Sequence, residues 1–420
     1  MHPENIEDKE VGDTLHTTWH PLIAALILGG VLVIFTLGKS PVFRVDRAGA
    51  SIIGAAALVG FGVLSFEEAV SAVDYRTIVI LFSMMVVVAN LKLAGFFDLL
   101  GKLVLEKVKT PKGLLLAVIL SSGVLSAIAI NDIVCLLFTP VVLLICRRGK
   151  CNPLPHLIGL AIASNIGSAA TLLGNPQNIL IASLSGMPFA AYLITAGPIA
   201  VIGLGAAYFI TAHIYKTELA GSIAHASRAE ESFHLYLIGK SLLVLASIIA
   251  AYMLGYELVL VSSLGAAFLL ITRRVNPNKV YTSVDFNLLV VFAGLFVIVG
   301  GVEKSGLMTY VMEFLPQNGI SSIGMFAFIT LVLSNIVSNV PAVLLLKFFI
   351  PEGDAAAWWK ALALFSTLAG NLTITGSIAN LIVVEIAKRQ GVTVTAREYL
   401  KVGLPLTIIT ILLGIVWLMI

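Results

Sequence analysis

Apolar runs separated by short polar intervals recur along nearly the whole chain. Most are about 17–25 residues long, which as helix crosses a hydrocarbon layer about 30 Å thick. On that pattern, segments 21–37, 48–65, 77–96, 157–184, 190–213, 236–254, 258–272, 287–302, 361–386 and 402–420 predict about ten transmembrane helices. Two further stretches, 114–146 and 322–350, are too long for one crossing and too short for two crossings with a loop. Polar residues interrupt the centre of each, so both read as re-entrant hairpins. The expected fold class is an all-α polytopic membrane protein.

Composition closes the alternatives. Of 420 residues 59% are hydrophobic and 12% charged, at a mean hydropathy of +1.02, which excludes a soluble enzyme. A net charge of +3 from 26 basic and 23 acidic residues forms no basic patch, so no nucleic-acid partner is implied. The basic residues mark topology instead. Nineteen of the 26, among them Lys39, Arg44, Lys102, Arg147, Arg148, Lys150, Lys216, Arg228, Arg273, Arg274, Lys388 and Arg397, fall in loops on one side. The other side holds Lys9, Arg76, Lys304, Lys347 and Lys360, while Lys92 and Lys240 lie near span ends where they can snorkel. The positive-inside rule then places both termini outside a cell inner (plasma) membrane. Residues 1–20 have no basic region leading into a cleavage site and read as a polar extracytoplasmic tail. The three cysteines, Cys135, Cys146 and Cys151, form no CxxC and have no ligand-rich histidine partner, so neither a disulfide framework nor a metal site is expected.

The two halves of the chain resemble each other. Val73-Asp74-Tyr75 matches Val284-Asp285-Phe286 at an offset of 211, as do Gly95 and Gly306. Leu125-Ser126 to Asn131 matches Leu333-Ser334 to Asn339 at 208, and Thr171, Gly174 and Asn178 match Thr373, Gly376 and Asn380 at 202. The predicted organisation is a span at 21–44, repeat 1 at 45–213, a cytoplasmic linker and linking span at 214–254, and repeat 2 at 255–420. Each repeat holds one hairpin, at 114–146 or 322–350, and one broken helix, at 157–184 or 361–386. Four crossings plus one linking span is an odd number, so the second copy enters from the opposite face. Such inverted repeats are typical of secondary transporters, whose sites lie at the midplane between the copies.

Backbone inside a bilayer leaves the helical state only where protein or a wet cavity satisfies it, so the breaks are the informative places. The first hairpin turns at Ile130-Asn131-Asp132 and the second at Ser338-Asn339-Val340. In the run from Ser164 to Asn178, Pro176 removes a donor and disfavours helix at Asn175, leaving Asn175 or Gly174 to cap a second half-helix. Ser377 is placed to do the same in the other repeat. Four half-helix N-termini would present N–H groups to an anion or a hydroxylated solute, and unwound carbonyls with Asn and Ser oxygens would suit sodium. The plain alternative is helix–helix hydrogen bonding, a common use of small polar residues in membranes. Asp132 is the one acid placed deep in the membrane, a candidate proton carrier or sodium ligand. No lysine or arginine stands beside these clusters, which favours a neutral or singly charged substrate.

Asn131-Asp132 followed by Leu136-Leu137-Phe138-Thr139-Pro140, the run Ser164 to Asn178, and Gly370-Asn371-Leu372-Thr373 with Gly376-Ser377-Ile378-Ala379-Asn380 together resemble the ion transporter superfamily. That group includes ArsB-type arsenite and antimonite permeases, NhaD-type sodium/proton antiporters, citrate carriers and divalent anion/sodium symporters. The resemblance implies a scaffold domain and a transport domain with two opposed hairpins and two broken helices. It implies ion-coupling positions at Asn131, Gly174, Asn178, Ser338, Asn339, Gly376 and Asn380, to which the membrane depth of Asp132 adds one more candidate. Candidate substrate ligands are Asn131, Asn165, Thr171, Asn175, Asn339, Asn371, Thr373 and Ser377. The threonine found at both tips of the dicarboxylate branch is missing here, and the Asn-Asp tip looks closer to the arsenite and NhaD-like branches.

These readings converge on a secondary transporter exporting arsenite or antimonite in exchange for protons, with Asp132 titrating. The alternative on the same fold is a sodium-coupled transporter of a small anion, such as a di- or tricarboxylate or an inorganic oxyanion, or a sodium/proton antiporter. No resident cofactor is expected beyond Na+ or H+ as coupling ion. Expected partners are the lipid bilayer and a small inorganic solute, with a homodimer and a soluble ATPase as candidate protein partners. A channel would need a continuous pore, and an intramembrane hydrolase needs paired acids or a Ser/His dyad that no span provides.

Overall fold

A computed structural model describes residues 4–223, 233–272, 275–314 and 322–419. Arg228, Arg273 and Arg274, used above for topology, lie outside the described residues. Within them all regular structure is helical, apart from one isolated bridge between Lys39 and Asp46. The first ten α-helices are α1 (Glu4–Leu37), α2 (Arg47–Gly60), α3 (Phe66–Ser71), α4 (Tyr75–Leu93), α5 (Phe96–Lys107), α6 (Pro111–Ile128), α7 (Asn131–Gly149), α8 (Leu154–Ala169), α9 (Pro176–Ser185) and α10 (Phe189–Ile214). The next ten are α11 (Leu235–Met253), α12 (Leu258–Leu270), α13 (Pro277–Tyr281), α14 (Phe286–Lys304), α15 (Leu307–Phe314), α16 (Ile323–Val337), α17 (Asn339–Leu346), α18 (Ala355–Ala369), α19 (Ile378–Arg389) and α20 (Ala396–Met419).

The second ten repeat the first in order and kind. Short helices α3 and α13 precede 19-residue helices α4 and α14. Helices α5 and α15 each follow a left-handed glycine, Gly95 at φ 79° and Gly306 at φ 74°. Two helices then meet at a corner, α6 with α7 and α16 with α17, before an interrupted pair and a closing long helix. The similarity reaches one helix further than the sequence offsets indicate, because α1 packs on α2 as α11 packs on α12. The first span and the span expected to link the copies thus hold the same place in the element order, each packed on the helix that follows it. Their plain apolar sequences carry none of the glycine and polar markers that reveal the other matches.

Seven of the described helices are long and apolar enough to cross a membrane: Trp19–Leu37 within α1, then α4, α6, α10, α11, α14 and α20. Their outward faces are apolar, with Ile194, Val201, Phe209, Leu243, Leu412 and Val416 all exposed, while Asn and Ser side chains are buried. Water penalises that arrangement and lipid favours it. The chain is a multi-pass membrane protein. The crossings expected at 48–65 and 258–272 appear as helices of 14 and 13 residues, about 20 Å each at 1.5 Å per residue. Conversely α6, expected as a hairpin limb, is as long as a crossing helix, so length alone does not separate the two.

One compact unit holds residues 1–78, 285–321 and 347–349. There α2 lies along α14 by setting glycine against side chain: Gly54 meets Ile298, Gly301 meets Leu58, and a β-carbon at Gly294 would fall 2.6 Å from that of Ser51. Small residues let helix backbones approach where no hydrophobic force drives them together. Lys304 hydrogen-bonds Glu68 and holds its carboxyl below the usual range. The other unit holds residues 79–284, 322–346 and 350–420, including both corners and both interrupted pairs. In it α6 and α8 touch backbone to backbone, since a β-carbon at Gly167 would sit 2.0 Å from the Gly123 carbonyl oxygen.

Candidate functional site

Helix α8 stops at Ala169 and α9 restarts at Pro176, the residue whose missing N–H suits a first helical position. Asn175 is extended (φ −155°, ψ 163°) and its side chain accepts the Asn178 N–H at 2.8 Å, an N-cap made by the residue that proline forces out of helix. The second copy has no proline there. Ser377 is extended as well, but its hydroxyl caps nothing and donates to Asn165 Oδ1 at 2.9 Å.

Both gaps are closed by the same hydrogen bonds at an offset of 202 residues. Asn178 Nδ2 donates to the Thr171 carbonyl at 2.9 Å and lies 3.4 Å from that of Ser168. Asn380 Nδ2 donates to the Thr373 carbonyl at 3.1 Å and to that of Gly370 at 2.7 Å. The glycines are required by approach: a β-carbon at Gly174 would fall 2.3 Å from the Ser168 oxygen, and one at Gly376 would fall 2.5 Å from Asn335 Oδ1. Thr171 donates to the Ala127 carbonyl, and Thr373 donates to Asn335 Oδ1 at 2.9 Å.

Each corner docks on an interruption. At the first, the Asn131 N–H donates to the Gly174 carbonyl at 2.9 Å, and Asp132 sits half-buried in the first turn of α7. At the second, Ser338 takes φ +74°, a backbone state worth about 1–3 kcal/mol of strain for a residue with a β-carbon. The Asn339 amide beside it donates toward the Gly376 and Ser366 carbonyls at 3.2 and 3.1 Å and accepts from Gln177 Nε2 at 3.0 Å.

The two copies meet at Asn165. Its Oδ1 accepts from Asn131 Nδ2 at 3.0 Å and from Ser377, and its Nδ2 donates to Asn371 Oδ1 at 3.1 Å and Asn380 Oδ1 at 3.0 Å. That is the full capacity of an amide. Thr367, which the 202 offset places opposite Asn165, accepts from Asn175 Nδ2 at 3.0 Å and donates to Asn178 Oδ1 at 3.2 Å. Of the residues expected at the site, Asn131, Asn165, Asn371, Ser377 and Asn380 thus join one network. Asn175 and Asn178 join another through Thr367, and Asn339 reaches that second network through Gln177. Asp132 and Ser338 stand at the corners beside them, and Thr171 and Thr373 fasten the interruptions to α6 and α16.

Thr367, Gln177, Ser168 and Asn335 are participants that sequence reasoning passed over. The offset that aligns Asn178 with Asn380 would have found Thr367. The described side chains in both networks include no lysine or arginine. Within the same region Ser126 Oγ, Asn131 Oδ1, Ser334 Oγ and Asn371 Nδ2 are buried without a hydrogen-bond partner. An unpartnered buried polar atom costs about 1–3 kcal/mol, which makes each of the four a candidate contact for a ligand. Ser126 and Ser334 stand at matched positions, 208 residues apart. Buried oxygens of this kind suit a hard cation, and the N–H suits an anion or a hydroxyl. Cys135 donates to Ser164 Oγ at 3.1 Å and belongs to the packing of α7 on α8.

Among proteins of known sequence, the chain is 32% identical to a 46 kDa membrane protein of Mycobacterium leprae over 89% of this chain and 94% of that one. It is 28% identical to the silicon efflux transporter LSI3 of Oryza sativa subsp. japonica over 89% of this chain and 93% of that one. Among solved structures it shares the fold of the Alcanivorax borkumensis YdaH transporter, with a TM-score of 0.56 at 16% identity over 96% of this chain and 97% of that one. Family and fold are those of transporters, not enzymes. Residues 30–369 match the citrate transporter (CitMHS) family model, and with more than half its length so matched, this chain belongs to that family.

Proposed function

We propose that this secondary transporter is sodium-coupled and moves a small anion, a carboxylate or an inorganic oxyanion. The observation that carries the reading is the matched pair of unpartnered serine oxygens, Ser126 and Ser334, together with Asn131 Oδ1 at the first corner. Oxygen donors of this kind hold an alkali cation. With no lysine or arginine in the networks, the charge of an anionic substrate is offset by cations carried with it and by the starts of α7, α9, α17 and α19. The match to a citrate transporter family supports the same assignment. In this reading α6–α7 and α16–α17 are re-entrant hairpins, about ten helices cross, the two copies are inverted, and both termini face outside the plasma membrane. Alternating access then moves the site between the two faces.

A second reading has one observation in its favour. Asp132, beside Asn131 in the first turn of α7, is a carboxyl able to carry a proton, and likeness to a silicon efflux transporter fits export of a neutral hydroxylated solute such as arsenite. Reconstituted vesicles separate the two. An inward sodium gradient is expected to drive uptake of radiolabelled citrate or oxyanion, with choline in place of sodium giving none. Movement of arsenite driven by a pH gradient and indifferent to sodium would replace the first reading with the second.

A further inference from the structure

Cys146, Cys151 and His156 come together at the far end of the α7–α8 pair from Asn131. Helix α7 ends at Gly149, and Lys150 takes a left-handed conformation (φ 52°) that turns the chain back. The Cys151 N–H then donates to the Cys146 carbonyl at 3.0 Å, which brings the second thiol over the first. His156 lies in the first turn of α8 and is fully buried, Cys146 is buried, and Cys151 is partly exposed. One ligand atom from each of the three lies within 4.8 Å of the other two. Sequence reasoning missed this group and expected no metal site, because no CxxC marks it and the turn at Lys150 that brings the thiols together is not legible in the chain.

We infer that these three residues form a binding site for a thiophilic d10 cation of the zinc type. Zinc binds thiolate sulfur at about 2.3 Å and imidazole nitrogen at about 2.0–2.1 Å in a tetrahedron. Ligand atoms in such a tetrahedron stand a little under 4 Å apart, so the three need to close by about 1 Å at most. The histidine supplies a second, independent indication. Its Nδ1 lies 2.9 Å from the Asn152 carbonyl and its Nε2 lies 3.1 Å from the Pro111 carbonyl. A neutral imidazole has one N–H, so one of these contacts sets a lone pair against a carbonyl oxygen. A metal ion relieves that conflict: one nitrogen turns to the cation and the other keeps its carbonyl, the usual support for a ligating histidine. The exposed side of Cys151 provides the entry path and leaves the fourth coordination position to solvent.

Such an ion would pin the end of α7 to the start of α8. The opposite ends of these helices carry Asn131 and Asn165, joined by the 3.0 Å hydrogen bond. The site therefore controls how freely the first corner moves against the first interrupted helix, and this holds whichever solute is carried.

The test is a cobalt titration of the full chain, purified in detergent with its thiols reduced. Wild type is expected to bind one Co2+ with a thiolate-to-cobalt charge-transfer band that Zn2+ displaces. Cys151→Ser and His156→Gln are each expected to weaken binding by more than about tenfold, the lower end of the loss seen when metal-site residues are changed. Cys135→Ser, remote from the site, should keep the band. Elution of the Cys151→Ser protein at the wild-type volume separates loss of the site from loss of the fold. No charge-transfer band in wild type with free thiols, a band that survives Cys151→Ser, or a Cys146–Cys151 disulfide whose reduction leaves no cobalt binding would each overturn the inference.

Discussion

Asn165 joins residues 206 and 215 positions away, and all four of its amide bonds are used. A side chain whose four bonds all go to other protein groups holds those groups together, so Asn165 acts as the hub of the network. Asn165→Ala leaves partners buried without donors or acceptors, at about 1–3 kcal/mol for each that finds no replacement. Its thermal unfolding temperature in detergent should fall well below that of wild type, and solute uptake should be lost. Thr367→Ala removes fewer bonds and should cost less on the same scale; an equal or larger loss would count against the hub assignment. The sequence marked Asn165 as polar and close to a break. It did not show where the amide points, because partners from the other half of the chain become neighbours only on folding.

The interrupted helices and corners carry the site at the next scale. Pro176 made the first interruption legible, since a residue without an N–H and with a disfavoured predecessor stops helix in any context. The second has only Gly376 and Ser377, and its shape follows from Asn380 closing the same loop as Asn178. Gly174→Ala would push a methyl group into the Ser168 and Ser126 carbonyl oxygens. That change should destabilise the first corner and abolish uptake, while Gly205→Ala on α10, with open space around it, should leave both unchanged. Ser338 is the opposite case. Ser338→Gly relieves the positive φ and should fold at least as stably as wild type. If its transport is also unchanged, the hydroxyl at the second corner takes no part in coupling. The close approach of α6 and α8 at Gly123 and Gly167 was not legible, because an isolated glycine in an apolar run reads the same at a contact or facing lipid.

For the whole molecule, hydropathy was enough to define an all-α membrane protein, and matched glycine and polar residues at fixed offsets pointed to two related halves. The element order adds α1 and α11 as one further helix at the same place in each half; their sequences carry no markers that survive comparison. With that helix included, each copy contains an odd number of the proposed crossings, which agrees with the inversion proposed above. Epitope tags at both ends should then be reached by antibody in intact spheroplasts; protection of either tag until permeabilisation would invert or break the proposed topology.

The most direct measurement of the central claim is the thermal unfolding of the purified chain titrated with sodium chloride against choline chloride. A cation that binds only the folded state adds about 2.7 kcal/mol at a hundred times its dissociation constant. Wild type is expected to show a saturable rise in Tm with sodium alone, reduced in Ser126→Ala and in Asn131→Ala. Identical curves in sodium and choline would contradict the assignment of those unpartnered oxygens to a coupling ion.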